Sequence, residues 1–158
     1  KLMSSDNTIY SLPDIYQKYA ATVVFFWQIG CPCVKRYQQR IDHIYERFRQ
    51  KNVAFMYISS NAAESFLEVQ KEYQKRGLAL PLMRDEGGVL AKAVAARGTP
   101  TAAIINPQGQ VVFLGWIDNE RQEHDPNRIP YLETALSELL NQQAISANTS
   151  PMFGCPIN

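Results

Sequence analysis

The apolar segment from Ala21 to Trp27, with the sequence ATVVFFW, is the feature that most limits what this chain can fold into. Its β-branched and aromatic residues have almost no polar break, which is typical of a strand covered on both faces in a parallel or mixed sheet. A second strand of this kind is predicted for Val53 to Ser59 (VAFMYIS). Between the two strands, apolar residues recur every three or four positions, which predicts a helix ending near Gln50 with one apolar stripe. The stripe consists of Val34, Tyr37, Ile41, Ile44 and Phe48.

Shorter elements are predicted on both sides of this β-α-β unit. Before it lie a short strand, Thr8 to Leu12, and a helical turn, Pro13 to Tyr19. After it we predict a helix capped by Asn61 and ended by Gly77, an extended piece from Ala79 to Met83, a small helix from Val89 to Ala96, a hairpin of Thr101 to Ile105 with Gln110 to Gly115, and a helix from Arg128 to Asn141. This order of elements is that of the thioredoxin fold. We therefore expect an α/β protein with a mixed central β-sheet flanked by helices on both faces.

Length and charge restrict the classes of function. The 158 residues suffice for one domain, and we divide them into a thioredoxin-like domain, residues 1–142, and a C-terminal tail, residues 143–158. The 16 basic and 15 acidic residues are spread along the chain, so nucleic acid is not an expected partner. No apolar run is long enough to span a bilayer, so no membrane insertion is expected. The cellular compartment stays open, with a slight preference for an extracytoplasmic one.

Two of the three cysteines lie where the first strand gives way to the helix. Pro32 suits the first helical position, which places Cys31 at or beside the N-cap. The unpaired N–H groups and the positive end of the helix favour a thiolate there, and Lys35 and Arg36 add weaker positive potential. We expect Cys31 to be the nucleophile and the more exposed thiol, with Pro32 in a supporting role.

Two thiols could resolve a disulfide formed on Cys31. Cys33 is near, but a disulfide across one residue closes a small, strained ring. Cys155 would close a long loop, which the chain-entropy model stabilises by roughly 4–5 kcal/mol. The tail ends in apolar residues around a Gly and a Cys, so we expect Met152, Phe153 and Ile157 to dock on apolar surface near Trp27 or Trp116 and bring Cys155 to the site.

The segment Cys31-Pro32-Cys33-Val34-Lys35-Arg36-Tyr37 resembles the Cys-Pro-x-x-Lys/Arg-x-Tyr segment of a redoxin subgroup in the thioredoxin/peroxiredoxin (AhpC/TSA-type) superfamily. Further elements similar to that subgroup follow in the same order. They are Ser59-Ser60-Asn61 at the end of the second strand, Asp85, Thr99-Pro100, Gly115-Trp116-Ile117-Asp118 and Gly154-Cys155-Pro156-Ile157. The likeness runs over nearly the whole chain.

The resemblance implies a thiol-disulfide oxidoreductase that acts on protein thiols and disulfides, needs a reducing partner and uses no cofactor. It implies a cis peptide bond at Thr99-Pro100 facing the cysteines, and these two residues with Trp27 are our candidates for substrate contact. It also implies that Cys31 pairs with Cys155, which leaves Cys33 as an extra thiol of this chain.

The chain departs from two familiar patterns, and other functions therefore stay open. The Cys-x-Cys spacing is one residue shorter than that of ordinary thioredoxins, and Val24 and Gln28 stand where typical peroxiredoxins carry Pro and Thr or Ser. One alternative is a thiol peroxidase that uses Cys31. Another is a Cu(I)-binding, copper-delivery module using the soft thiolates of Cys31 and Cys33. A redox-inert interaction domain is a third, disfavoured by the adjacent cysteines.

Four further residues have side chains that could take part in the chemistry of the site. Arg97 could reach the Cys31 thiolate and support it, and Asp118 could either line the site or cap the turn after the hairpin. His43 and His124 are expected on the surface, without a catalytic role.

Overall fold

The structure is a computed structural model, and it describes residues 1–152 and 154–157. Its elements, in chain order, are β1 (Leu2–Ser4), β2 (Ile9–Tyr10), α1 (Leu12–Tyr16), β3 (Ala21–Trp27), α2 (Pro32–Phe48), β4 (Val53–Ser59), α3 (Phe66–Arg76), β5 (Leu82–Arg84), α4 (Val89–Val94), β6 (Gly98–Thr99), β7 (Ala102–Ile105), β8 (Val111–Gly115), α5 (Tyr131–Leu140) and β9 (Cys155–Pro156). A single 3-10 turn, Glu86–Gly88, precedes α4.

The central sheet is mixed, as predicted. Its strand order is β2-β1-β5-β4-β3-β7-β8, with β4 parallel to both β3 and β5 and the other neighbours antiparallel. The two strongly apolar strands lie side by side near the middle of this sheet, and every residue of β3 is buried. A buried central strand explains why the segment carries almost no polar residue.

Helices cover both faces of the sheet, which confirms the predicted α/β fold. Alternate residues of β3 face opposite sides: Val23 and Phe25 belong to one core, while Val24 and Phe26 belong to the other. The first core is closed by α2, α3 and α5, and the second by α1 and α4. Every residue of the apolar stripe predicted for α2 is buried in the first core.

The start of α3 corrects one prediction. Asn61 does not cap this helix, because the helix begins at Phe66 with Ser65 as its N-cap. The Ser65 hydroxyl accepts from the Glu68 N–H, and the Glu68 carboxylate accepts from the Ser65 N–H, which forms a capping box. Gly77 ends the helix in the left-handed conformation, as predicted.

The short elements differ from their predicted bounds by a few residues. The strand predicted for Thr8 to Leu12 is only β2, paired with the unpredicted β1, and the extended piece predicted for Ala79 to Met83 is displaced to β5. The predicted hairpin is present as β7 and β8. No helix in residues 1–152 and 154–157 is long and apolar enough to cross a membrane.

Candidate active site

Cys31 lies at the junction between β3 and α2. It is the N-cap of α2 with extended backbone, and Pro32 is the first helical residue, as predicted. The expectation that Cys31 is the more exposed thiol is wrong, because its side chain is only 1% exposed whereas Cys33 and Cys155 are half-buried. The thiol lies against Thr99, with its Sγ 3.3 Å from the Thr99 carbonyl oxygen, to which it can donate. Neighbours distant in sequence therefore cover this sulfur.

The structure brings all three cysteines together. The sulfur atoms of Cys31, Cys33 and Cys155 all lie within 4.8 Å of one another, and all three thiols are free. Cys155 comes from the opposite end of the chain, so the tail returns to the start of α2 in the reduced protein.

The tail is held by backbone pairing. Strand β9 pairs antiparallel with β6, with Cys155 opposite Thr99 and Pro156 opposite Gly98. The Ile157 N–H donates to the Arg97 carbonyl at 2.9 Å, which extends the pairing by one bond. The tail therefore occupies the backbone edge next to Pro100.

The three apolar residues predicted to anchor the tail do not share one environment. Ile157 is partly buried, but it packs against the second core, whereas Trp27 and Trp116 belong to the first, so the predicted docking position of Ile157 is wrong. Met152 does not dock, because its side chain is 37% exposed, and Phe153 lies outside the described residues. Earlier in the tail, the Ser150 hydroxyl donates to the Trp116 carbonyl at 3.0 Å. The approach near Trp116 is thus made largely through polar and backbone contacts.

The Gln28 side chain connects the tail to β6 and to Asn61, which follows β4. Its Nε2 lies 2.9 Å from the Thr99 Oγ1, 2.9 Å from the Pro156 carbonyl and 3.1 Å from the Cys155 carbonyl. Its Oε1 accepts from the Asn61 Nδ2 at 2.6 Å. From the sequence, Gln28 is only a departure from the peroxiredoxin pattern and is not predicted as a site residue. The signal that could have found it is a polar side chain directly after a wholly apolar strand, next to the cysteines.

The thiols of Cys31 and Cys155 differ in pKa. Burial raises the pKa of the Cys31 thiol, but hydrogen bonds from the Cys155 thiol, the Thr99 side chain and the Val34 N–H outweigh burial and bring this pKa below its ordinary value. Burial and the neighbouring Cys31 sulfur raise the pKa of Cys155 to about 11. Cys155 therefore keeps its proton and donates a hydrogen bond to the Cys31 thiolate. The Arg36 Nη2 lies 3.8 Å from the Cys33 sulfur.

Charged side chains brace the loop between β3 and α2. The Glu64 carboxylate accepts from the backbone N–H of Ile29 at 2.9 Å and of Gly30 at 3.4 Å. Arg76 donates to the Ile29 carbonyl at 2.8 Å, and its guanidinium lies 5.3 Å from the centre of the Trp27 ring. No local pattern indicates either contact, because Glu64 precedes α3 and Arg76 ends it, both far along the chain from this loop.

The other predicted substrate contacts are largely covered. The Thr99-Pro100 peptide bond is cis, as the resemblance implied, and both residues are buried. Trp27 is 1% exposed, so its ring is a packing element in this arrangement, and its role in substrate contact stays a prediction. The Arg97 side chain is exposed, and its carbonyl binds the tail.

Asp118 is wholly buried and serves as an acceptor for several donors. It accepts from the Tyr37 hydroxyl at 2.5 Å, from Arg40 at 2.6 Å and from Arg128 at 3.0 Å. It also accepts from the Glu120 N–H, so it caps the turn after the hairpin, which was one of the two predicted roles. His43 and His124 are exposed, as expected, with His43 paired to Glu123.

Comparisons with known proteins agree with this fold. Residues 1–114 match the AhpC/TSA family. A stretch of 87 residues is 29% identical to the thiol-disulfide oxidoreductase ResA of Halalkalibacterium halodurans, covering 55% of this chain and 48% of that protein, so the match spans about half of the length of that curated relative.

Two solved structures share nearly the whole architecture. An uncharacterised conserved protein from Geobacillus kaustophilus is 28% identical, with a TM-score of 0.85 over 99% of this chain and 86% of the other. A hypothetical protein from Sinorhizobium meliloti is 22% identical, with a TM-score of 0.84 over 99% of this chain and 88% of the other. The architecture is thus a thioredoxin-like α/β fold, and because the family match extends over most of the sequence, the chain belongs to the AhpC/TSA family.

Proposed function

We propose that this chain is a thiol-disulfide oxidoreductase in which Cys31 is the attacking thiol and Cys155 the resolving thiol. The observation that carries the proposal is the position of Cys31, which combines a helix N-cap with a second thiol as hydrogen-bond donor. The thiolate is the reactive form of cysteine, and both features favour it. The similarity to ResA, a protein named a thiol-disulfide oxidoreductase, supports the same chemistry.

In the first step the Cys31 thiolate attacks one sulfur of a substrate disulfide. A mixed disulfide forms, the substrate S–S bond breaks, and the second substrate sulfur leaves as a thiolate. In the next step Cys155 attacks the Cys31 sulfur, and its proton passes to the departing substrate sulfur. The products are a Cys31–Cys155 disulfide and a reduced substrate, so two electrons have moved from the protein to the substrate. An external dithiol reductant restores the starting state.

The raised pKa of Cys155 determines the order of the two exchange steps. In the reduced protein burial, and after it the neighbouring Cys31 sulfur, raises the pKa of Cys155, which keeps Cys155 protonated and unreactive. When Cys31 enters a mixed disulfide, its negative charge disappears. One cause of the raised Cys155 pKa is then removed, and Cys155 becomes easier to deprotonate at the moment when it must attack.

We also propose that the substrate binds at the backbone edge of β6. An extended substrate segment would pair with β6 beside Thr99-Pro100, where β9 lies in the reduced protein. The tail from residue 143 onward would leave this edge during substrate capture and return for resolution. We propose residues 1–142 as the domain that binds the substrate and a dithiol partner.

Disulfide mapping tests the cysteine roles. The reduced chain is treated with one equivalent of oxidised glutathione, acid-quenched and digested for mass spectrometry. We expect a Cys31–Cys155 disulfide in the unmodified protein and in the matched control Cys33→Ser, and a lasting Cys31–glutathione mixed disulfide in Cys155→Ser. A Cys31–Cys33 disulfide in the unmodified protein would assign resolution to Cys33, and exchange by Cys31→Ser at an undiminished rate would refute the proposal.

A further inference from the structure

We infer that the sulfurs of Cys31, Cys33 and Cys155 form a three-coordinate Cu(I) site in the reduced protein. The carrying observation is that all three atoms lie within 4.8 Å of one another. Cys31 and Cys33 are fixed by the first turn of α2, and Cys155 is fixed independently by the pairing of β9 with β6. The third ligand therefore comes from the C-terminal tail, far along the chain from the other two.

The size of the cluster suits a single metal ion. With metal–sulfur bonds of about 2.3 Å, three sulfurs around one ion lie about 4 Å apart. The separations in the reduced protein therefore need to change by less than about 1 Å on binding, which small rotations about the cysteine χ1 bonds can supply. Cys31 gives up its 3.3 Å hydrogen bond to the Thr99 carbonyl on binding, because a metal-bound thiolate has no proton to donate.

The donor set selects the metal. Thiolates are soft ligands and favour Cu(I), Zn²⁺ or iron–sulfur clusters over hard cations such as Mg²⁺ and Ca²⁺. Structural Zn²⁺ takes four ligands, but among residues 1–152 and 154–157 no fourth Cys, His, Asp or Glu joins the cluster. An all-sulfur site with three ligands therefore fits Cu(I) best.

The surroundings can offset the charge of a thiolate site. Each cysteine that binds the metal releases its proton, so three thiolates and one Cu(I) carry a net charge of about −2. The N-terminus of α2 contributes positive potential, and the Arg36 guanidinium lies 3.8 Å from the Cys33 sulfur. Because Cys31 is 1% exposed, water has little access to the metal from its side.

Metal binding and disulfide formation exclude each other. Formation of the Cys31–Cys155 disulfide removes two electrons and two protons and uses two of the three ligands. The oxidised protein therefore cannot hold the ion in this site, and bound Cu(I) blocks the Cys31 sulfur. The inference goes beyond the proposed function, since metal binding by the reduced chain can be measured without any exchange activity.

The test is an anaerobic titration of the reduced full chain with Cu(I) in competition with bicinchoninate. We expect one Cu(I) per chain, and X-ray absorption should show three sulfur neighbours. Cys33→Ser and Cys155→Ser should each weaken binding by more than about tenfold, since even changes outside the ligand set cost metal sites about 10- to 100-fold. The matched control His43→Ala/His124→Ala removes two exposed donors that do not belong to the cluster and should bind as the unmodified chain does.

Three results would overturn the assignment. The first is Cu(I) affinity in Cys155→Ser equal to that of the unmodified chain while circular dichroism shows the same fold. The second is two sulfur neighbours in the X-ray absorption of the loaded chain. The third is tighter binding of Zn²⁺ than of Cu(I) in a direct competition.

Discussion

Gly154 lies so close to Thr99 that a Cβ atom at position 154 would overlap the Thr99 carbonyl oxygen. The same atom would lie 2.8 Å from the edge of the Trp116 ring. Gly154 also has a φ of +86°, a backbone conformation that residues with a Cβ rarely adopt. The close approach of the tail to β6, and with it the position of the neighbouring Cys155, therefore depends on the absence of a side chain here.

Gly154→Ala should release the tail. Left-handed backbone costs an L-residue about 1–2 kcal/mol, and the overlap with Thr99 adds to this cost, so undocking becomes at least about tenfold more favourable. Cys155 should then be alkylated about tenfold faster by iodoacetamide in the reduced protein, as followed by mass spectrometry of quenched samples. The control Met152→Ala removes an exposed side chain of the same tail and should leave the rate unchanged. Equal Cys155 rates in Gly154→Ala and the unmodified protein would show that the tail does not depend on this contact.

The pH dependence of Cys31 reactivity should follow its hydrogen bond from Cys155. Because that bond helps to bring the Cys31 pKa below its ordinary value against the effect of burial, Cys155→Ala should raise the pKa. The midpoint of the alkylation rate of Cys31 against pH should lie below that of a free cysteine and should move upward in the variant. At neutral pH the variant then holds less thiolate and reacts more slowly.

A matched variant separates this effect from the loss of any nearby thiol. Cys33 is not among the groups that shift the Cys31 pKa, so Cys33→Ala should keep the low midpoint. If Cys155→Ala and Cys33→Ala gave the same midpoint as the unmodified protein, the hydrogen bond from Cys155 would have no part in stabilising the thiolate.

The parts of the fold that the sequence predicts well are those with a strong local pattern. The bounds of β3 and β4 agree with the predicted strands to the residue, because strands buried on both faces must be apolar throughout. The start of α2 agrees because Pro32 favours the first helical position. The short strands β1 and β2 have only three and two residues, too few to show a period, so their pairing is set by neighbours rather than by a pattern of their own.

The site shows where local patterns fail. Asn61 has the chemistry of an N-cap, but its amide donates to Gln28, a contact between the ends of two adjacent strands that has no helical spacing. Cys31 stands at a helix start, which suggests exposure, but Thr99 and the returning tail cover it. Both errors concern contacts between residues far apart in the chain, which the periodicity of a single segment does not contain.

Asp118→Ala should strongly destabilise the fold. Asp118 is wholly buried and pairs with Arg40 and Arg128, whose side chains are 14% and 10% exposed. Removing the carboxylate takes the nearer partner from both charges and leaves Arg40 with Glu123 at 3.9 Å and Arg128 with Glu133 at 3.1 Å. The expected loss is about 3 kcal/mol in the free energy of unfolding, at the lower end for a broken buried pair. Urea unfolding measures the loss. Glu46→Ala breaks the exposed Arg49–Glu46 pair and is the control, with an expected loss below about 0.5 kcal/mol; a similar small loss in Asp118→Ala would contradict the assigned role.

Reduction of hydroperoxides should be slow. Val24 and Gln28 stand where typical peroxiredoxins carry Pro and Thr or Ser, and Val24 is a buried apolar residue of β3. The Gln28 amide donates to Thr99 and to two tail carbonyls, so it is not free to stabilise the charge that develops on a peroxide oxygen. In the described part of the chain, no arginine hydrogen-bonds the Cys31 sulfur.

Stopped-flow measurement of the reduced chain with hydrogen peroxide checks this expectation. The second-order rate constant, corrected for the thiolate fraction of Cys31, should lie within about tenfold of that of free cysteine thiolate, because a lowered pKa alone adds thiolate without adding donors for the leaving oxygen. The same preparation should reduce a small disulfide such as oxidised glutathione, which requires only the thiolate and a resolving thiol. A peroxide rate constant orders of magnitude above that of the free thiolate would mean that donors other than Gln28 converge on Cys31 during the reaction, and would make Cys31 a peroxidatic thiol.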